Sequence, residues 1–393
     1  MIDRRLYVMK KILSIALVCM LVLSLAACSG GSKKEEAPKS SAASSAASSV
    51  AASSAETPAS SAGGSDLDAQ VASYKSGVNI TSTDDVTWKL AHVCTEDSAA
   101  NWAAMAVAQI VERETGGHFK IEIYPNSQLG NNPEIVEGML AGTIESAIPN
   151  ASTFGGYSKK MQVCELPFLI NDISNFDLAE KVFITSGAID PVVEDMRNAG
   201  YEWLGAYFQG HRYLTTAKTE VHKPEDLKGL KIRVMASDVQ LATWNAMGAN
   251  AVPMAFSEVF TALQQGALDG QENPYNNIYT QGFYEVQDYI IETAHNFDII
   301  PFVASVSAFN ALPADYQELL KKVGEDTTLL QWDKVMEMDN MYKQMILDKG
   351  GTTIIELTTE ERLAFKEACA PVYEQFADDI GQDLLDAIAK AQE

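Results

Sequence analysis

Residues 86–123 read VTWKLAHVCTEDSAANWAAMAVAQIVERETGGHFKIEI and decide the fold class. Apolar and polar residues alternate over 86–90 and again over 119–123, which is the two-residue period of a β-strand. Between these segments, apolar side chains recur at helical spacing over 99–114, and a Gly-Gly pair that stops a helix follows. A strand, a helix and a strand in succession predict an α/β fold.

Further along the chain, a second helix is predicted to open at Asn132-Pro133-Glu134, with an N-cap candidate, a proline in the first turn and an early acid. Residues 134–145 align without gaps to residues 258–269. Each segment reads as a short helix, a glycine in the stop position and an acid that enters a strand. Such units are common, so chance is one explanation of the similarity. The other is a pair of lobes built from similar units.

A third feature is a helical run from Leu312 to Gly351 that has no proline after Pro313. The run is long for a globular helix, so we predict that it spans both lobes, with a bend at Gly324. The stretch from Thr359 to Gln392 predicts one or two further helices.

Composition narrows the class of partner. The chain of 393 residues has 53 acids against 29 bases, a net charge of -24, and such a surface repels phosphate backbones. We therefore expect no nucleic-acid partner. The 5 cysteines are too few for a disulfide scaffold. Cys94, Cys164 and Cys369 lie far apart in the sequence, which favours small buried residues over a metal cluster.

The N-terminus predicts export and anchoring. A basic start, an apolar run and the ending Leu25-Ala26-Ala27-Cys28 assign residues 1–28 to a lipoprotein signal peptide and lipobox, with Cys28 as the lipidation site. The alternative is an ordinary signal peptide with a chance cysteine. Residues 29–83 are rich in serine and alanine and are predicted to be a disordered tether. We expect a protein that is lipid-anchored on the outer face of the cytoplasmic membrane.

Sequence motifs of catalysis are not found. The chain contains no GxSxG, HExxH, GxxxxGK[ST], GxGxxG or CxxC, and its 5 histidines show no metal-ligand spacing. Residues 269–273, Asp-Gly-Gln-Glu-Asn, are rich in oxygen atoms but do not match a calcium-binding loop. We therefore predict that the protein is not an enzyme and has no catalytic residue, metal site or cofactor.

Three polar residues stand out as candidate ligand contacts. Arg233 lies inside the apolar strand 230–234, where a guanidinium needs an anion; a structural ion pair or an exposed edge strand would also explain it. Arg212 follows an apolar stretch in a predicted loop. Asn273 precedes Pro274, and either points its amide into a cleft or belongs to a turn.

Several segments together resemble a known family. LKIRV at 230–234, VPMAFSEVFTALQ at 252–264 and DGQENP at 269–274 look like the core signature of TRAP transporter solute-binding proteins, the dicarboxylate/sialic-acid receptor (DctP) family. YPNSQLG at 124–130 and ELPF at 165–168 match the family earlier in the chain.

The resemblance implies a two-lobe periplasmic-binding-protein-like α/β fold with mixed sheets, a cleft between the lobes and a long bridging helix. Residues 84–209 with 299–338 are expected to form lobe I, and residues 210–298 with 339–393 to form lobe II.

The same resemblance implies ligand-binding roles. Arg233 matches the arginine that clamps the ligand's carboxylate, and Arg212 matches a second arginine near that carboxylate. Asn273 matches an asparagine that hydrogen-bonds the ligand, and Phe256 matches an aromatic residue that packs against it. His295 falls at a cleft-facing position.

Departures from the family pattern bear on the ligand. Asn150 and Thr153 stand where sialic-acid receptors carry a glutamate and an arginine, so a sugar acid, a C4-dicarboxylate or a hydroxy or keto acid is expected instead. The expected partners are the small and large membrane subunits of a TRAP permease, and the protein is expected to be a monomer. Two other classes remain open: a sensory receptor that presents the ligand-closed form to a signalling protein, and an envelope enzyme that acts on a carboxylate sugar.

Overall fold

A computed structural model describes residues 69, 70 and 72–393. The predicted signal peptide with Cys28, and most of the predicted tether, lie outside the described residues. None of the helices in the described part of the chain combines the length and the apolar character that a membrane crossing requires.

Nine β-strands in the described part of the chain form one mixed sheet. They are β1 Val86–Ala91, β2 Phe119–Tyr124, β3 Ser146–Ala147, β4 Tyr201–Thr216, β5 Lys231–Val234, β6 Asn250–Pro253, β7 Gly270–Asn273, β8 Tyr289–Ser305 and β9 Thr353–Ile355. The order across the sheet is β2-β1-β3-β8-β4-β7-β5-β6, and β9 pairs with β8. The α/β class and the strands predicted from alternating apolar residues are confirmed.

The helices that follow or connect the strands agree with most of the predicted bounds. They are α1 Ala99–Glu114, α2 Asn132–Leu140, α3 Phe176–Glu180, α4 Asp190–Asn198, α5 Asp238–Ala246, α6 Val259–Gln264, α7 Tyr275–Thr280, α8 Val306–Ala311, α9 Ala314–Lys349, α10 Thr359–Ala368, α11 Ala370–Ile380 and α12 Gln382–Ala391. The N-cap of α2 is Asn131 and not Asn132, because Asn131 and Glu134 form a reciprocal capping box. Three C-terminal helices replace the predicted one or two.

Strands β4 and β8, of 16 and 17 residues, are the longest of the sheet and lie side by side at its centre. They pair antiparallel, and their register shifts at three places, as at β-bulges: after Trp203, between Phe208 and His211, and after Arg212. On one side of the middle shift, between Phe208 and His211, β8 joins β3, and on the other β4 joins β7 and β8 joins β9. We call β2-β1-β3 with the adjoining strand ends the first half, and β6-β5-β7-β9 with their adjoining ends the second half. The middle shift coincides with the predicted lobe boundary at residues 209 and 210, while the lobes themselves stay a prediction.

The long helix α9 crosses the back of the sheet without a break over its 36 residues. Gly324, where a bend was predicted, allows close packing: a Cβ atom there would lie 2.2 Å from the carbonyl oxygen of Leu204 in β4. The glycine therefore brings the helix onto the strand that runs through both halves.

Apolar side chains fill both faces of the sheet. In the first half, the ring of Phe119 packs 5.2 Å from Trp88 and 5.6 Å from Tyr316 of α9. A second cluster in the other half contains Ile232 and Trp244, both nearly fully buried. Burial of these groups holds the strand ends at fixed positions, which is what a binding site requires.

The segment 74–82 belongs to the folded body and not to the tether, which corrects the predicted boundary at residue 83. The Tyr74 hydroxyl donates to Asp326 of α9 at 2.8 Å. The backbone amides of Thr81 and Ser82 both donate to Asp315 at 2.7 Å. Isolated polar contacts of this kind leave no repeating pattern in the sequence. The prediction of disorder rested on the low apolar content of the segment alone.

Candidate carboxylate-binding site

A cavity of about 140 Å³ lies at the carboxyl ends of the parallel strands of both halves. This is the edge at which open α/β sheets bind ligands, because the loops after the strands meet there. The cavity is small for a ligand pocket, which suits a small metabolite. Its lining from the first half comes after β1, β2 and β3 and includes Val93, Cys94, Ser127, Asn132, Asn150 and Thr153. The second half contributes Arg233, Met235, Phe256, Asn273 and Asn277, among others.

Arg233 of β5 lines this cavity with a guanidinium that is only 2% exposed. Its Nε and Nη2 atoms donate to the backbone carbonyl of Met254 at 3.0 and 2.7 Å. No carboxylate among the described residues pairs with it, and β5 lies between β7 and β6. Neither the structural ion pair nor the exposed edge strand therefore explains this residue.

The surroundings of Arg233 favour a bound anion. Burial lowers the pKa of Arg233 to about 10, because a charged group is poorly solvated there. The Phe256 ring lies 5.9 Å from the guanidinium carbon and forms an apolar wall of the cavity. Glu272 acts on Arg233 only at a distance, and the charge of Arg212 opposes it. A carboxylate in the cavity would supply the direct ionic partner that Arg233 does not have among the described residues.

Asn273 and Asn150 both line the cavity, one from each half. Asn273 ends β7, and its Oδ1 atom accepts a hydrogen bond from Asn277 Nδ2 at 2.9 Å. Asn150 follows β3, and its Nδ2 atom donates to Gln209 Oε1 at 3.0 Å. Both amides are thus held in place by other amides, and Asn273 is a cavity residue and not merely part of a turn.

Arg212 is not among the described residues that line the cavity, and its predicted contact with the ligand stays a prediction. The residue is 1% exposed, and its guanidinium forms ion pairs with Glu272 and Asp298. Although burial opposes ionisation, Arg212 and His295 lower the pKa of Glu272 to about 2. The Arg212 charge therefore has anionic partners within the protein, which Arg233 does not.

His295 likewise does not line the cavity. Its Nε2 atom lies 3.1 Å from Glu272 Oε2, and its Nδ1 atom lies 2.8 Å from the Thr293 hydroxyl. The residue is part of the buried network around Arg212, one layer behind the cavity wall. Its role is to position Glu272, which holds Arg212.

Sequence reasoning missed several cavity residues. Gln209, Asn277 and Asn132 join Asn150 and Asn273 in the polar wall, but no local pattern marks them, since each is one amide in an ordinary stretch. Val93 and Cys94, which follow β1, also line the cavity and were not predicted as contacts.

The three cysteines of the folded body, Cys94, Cys164 and Cys369, are buried, as predicted, and all three are free. Only Cys94 is among the described residues that line the cavity. Burial raises the pKa of its thiol to about 12, so the thiol stays protonated.

The mixed α/β sheet has two similar halves, and the guanidinium of Arg233 is buried in the cavity between their strand ends. This arrangement is typical of a small-molecule receptor of the solute-binding type. Residues 90–379 match the model of the DctP family, described as "Bacterial extracellular solute-binding protein, family 7". The chain is 36% identical over 306 residues to the C4-dicarboxylate-binding periplasmic protein DctP of Shewanella loihica, covering 78% of this chain and 89% of the relative.

Two solved structures share the fold over nearly the same range. A TRAP periplasmic solute binding protein from Shewanella oneidensis with bound succinate has a TM-score of 0.73 and 34% identity, and covers 79% of this chain and 100% of that chain. The sugar acid binding protein DctPAm from Advenella mimigardefordensis in complex with galactonate has a TM-score of 0.74 and 27% identity, with the same coverage of 79% and 100%. The chain belongs to the DctP family of extracellular solute-binding proteins, which is a receptor family and not a family of enzymes.

Proposed function

We propose that the protein is the extracytoplasmic receptor of a TRAP transporter and that it captures a small organic carboxylate at Arg233. The observation that carries the proposal is a buried guanidinium in the cavity wall with no anionic partner among the described side chains. An uncompensated buried charge is costly, so an entering carboxylate gains a strong partner. The succinate and galactonate that are bound in the two structural neighbours support this ligand class.

The ligand closes the two predicted lobes over itself. Its contacts come from both halves, with Arg233 and Phe256 in one and Asn150 in the other. Strands β4 and β8 run through both halves and shift register between them, which supports a hinge at that point. A ligand that binds both halves favours the closed arrangement by its differential affinity.

Location and partners follow from the family and the lipobox. The receptor is lipid-anchored through Cys28 on the outer face of the cytoplasmic membrane, acts as a monomer, and delivers its ligand to the small and large membrane subunits of a TRAP permease. It carries out no catalysis itself: the protonated thiol of Cys94 is a poor nucleophile, which supports a receptor rather than an enzyme.

Calorimetric titration with C4-dicarboxylates, sugar acids and hydroxy acids tests this function, with the wild type and Arg233→Lys compared. Lysine keeps the charge but cannot form two parallel N–H bonds, so affinity for the best ligand should fall roughly tenfold to several hundredfold. Replacing the ligand's carboxylate with an amide should cost the wild type heavily and the variant much less, because both changes remove one interaction.

Arg197→Lys is the matched control. Arg197 pairs with Glu202, and its side chain is 44% exposed, so this variant should bind like the wild type. If the losses from Arg233→Lys and from the amide ligand simply add, Arg233 is not the clamp. A lower melting temperature of ligand-free Arg233→Lys with unchanged carboxylate selectivity would assign the residue a structural role.

A further inference from the structure

Positive charge is confined to one side of the cavity. Among the described residues that line it, Arg233 is the only charged one. The wall that follows β2 and β3 consists of amide and hydroxyl groups, including Asn132 and Asn150. Strand β5, which carries Arg233, is separated from β2 by five other strands, so these groups approach the cavity from opposite sides.

The amides of the wall form a chain of hydrogen bonds. Asn132 Nδ2 donates to Asn150 Oδ1 at 3.0 Å, and Asn150 Nδ2 donates to Gln209 Oε1 at 3.0 Å. Gln209 Nε2 then donates to Asn277 Oδ1 at 3.3 Å, and Asn277 Nδ2 donates to Asn273 Oδ1 at 2.9 Å. Every link therefore runs in the same direction.

Arg212 sets that direction. A guanidinium can only donate, and Arg212 Nη2 donates to Asn273 Oδ1 at 3.2 Å, so this oxygen must be an acceptor. Exchanging the nitrogen and oxygen of any one side-chain amide would place two donors or two acceptors against each other at its hydrogen bonds. The direction of donation fixed at Asn273 therefore extends along the chain of amides to Asn132. At that end of the chain, Asn132 Oδ1 is buried and has no donor among the described residues.

The surroundings of that end do not suit a second carboxylate. Asn150 Nδ2 also lies 3.4 Å from Asp298 Oδ1, so a carboxyl group stands behind the amide wall. A ligand carboxylate placed there would face the Asn132 oxygen, with no cation in the described lining of that side. A ligand hydroxyl could donate to Asn132 Oδ1 instead.

We infer that the ligand is a hydroxylated monocarboxylate, with its carboxylate on Arg233 and a hydroxyl on Asn132, and that Asn132 selects against a dicarboxylate. This inference rests on the proposed function and narrows its ligand class. A buried acceptor left without a donor weakens binding roughly tenfold to a hundredfold. Receptors of this fold hold both succinate and galactonate, so residues particular to this chain decide between the two classes.

Titration of the purified protein with paired acids from four to six carbons tests the inference. Succinate is compared with 4-hydroxybutanoate, and galactarate with galactonate, so that each pair shares a carbon skeleton and differs only at one terminal group. The hydroxy acid of the better-binding pair should bind at least about tenfold more tightly than its diacid. A diacid that binds as tightly as its partner or more tightly overturns this inference and leaves the proposed function standing. Binding of no acid in the panel overturns both.

Asn132→Lys tests the residue assignment. Its side chain is a donor with a positive charge, so the preference should shift toward the diacid by about tenfold or more. Ala141→Lys adds the same charge at the exposed end of the same helix and should leave the preference unchanged. An unchanged preference in Asn132→Lys, or an equal shift in Ala141→Lys, would show that Asn132 is not the selecting residue.

Discussion

The two halves of the sheet follow the same plan inward from their outer edges. The first half runs β2-β1-β3 to β8, and the second runs β6-β5-β7 to β4. In each, three parallel strands meet one antiparallel strand. The similar segments 134–145 and 258–269 lead into β3 and β7, which hold equivalent places in the two halves. This agreement favours two related units over chance similarity.

One difference between the halves lies in the cavity wall. Ala91 of β1 pairs with Ala147 of β3, and Arg233 of β5 pairs with Gln271 of β7. Because Ala147 and Gln271 occupy the same place in the two repeats, Arg233 stands where the first half has a buried alanine. The shared frame provides the cavity, whereas Arg233 gives it the cation on which the proposed carboxylate site rests. The first half supplies neutral amides, which in that proposal contact the rest of the ligand.

The comparison predicts opposite effects on stability for two buried arginines. Arg212→Met leaves Glu272 and Asp298 without their cation, so the free energy of unfolding should fall by on the order of 3–5 kcal/mol. Arg233→Met removes a cation that has no anion, so the ligand-free protein should be as stable as the wild type or gain about 1 kcal/mol. Chemical denaturation without ligand measures both. Equal losses in the two variants would mean that Arg233 has a structural partner.

Two buried acids that link different parts of the sheet predict a pH dependence. The Ser237 hydroxyl of the second half donates to the Glu165 carboxyl group of the first. The backbone N–H of Asn276 donates to the Asp339 carboxyl group of α9 at 2.9 Å. Burial raises the pKa of each acid to about 8. Folding favours the neutral form of each acid. Their contribution to the free energy of unfolding is therefore complete below about pH 4 and is lost as the pH rises through about 8.

Stability of the ligand-free protein should therefore decline between about pH 4 and pH 8, by on the order of 1–2 kcal/mol for each acid. Thermal unfolding across this range measures the decline, and Glu165→Gln and Asp339→Asn should each flatten it. Glu356→Gln, which alters an exposed acid, is the control that should keep the wild-type slope. A wild-type slope in all three variants would exclude both buried acids as its source.

The sequence predicted features that depend on nearby residues. The bounds of α1 follow from apolar spacing and a Gly-Gly stop, and Arg233 stands out because one charge interrupts an apolar strand. Arg212 was predicted in a loop at a strand end, but it lies inside β4. Its partner Asp298 is 86 residues away and meets it only when β4 pairs with β8. The sequence therefore identified both charges, whereas only the sheet pairing shows which one is neutralised within the protein.

The two halves also differ in their contact with the segment 74–82, which packs on the first half and on the N-terminal part of α9. Asp315 accepts two backbone and two hydroxyl hydrogen bonds from Thr81 and Ser82, and these bonds hold its pKa well below the usual range. A tether that precedes this segment would pull on the first half and leave the second free to close. The segment would then isolate ligand binding from the anchor.

Asp315→Asn should loosen the segment and change little else. An amide accepts these bonds less strongly than a carboxylate, so the free energy of unfolding should fall by less than about 1 kcal/mol. Hydrogen exchange of the Thr81 and Ser82 amides should become several-fold faster, while the amides of β5 and β7 keep their rates. Ligand affinity should also be unchanged, because no residue of this segment is in the described lining of the cavity. Weaker ligand binding in Asp315→Asn would show that the docked segment is coupled to the site, and faster exchange in β5 would show that it supports both halves.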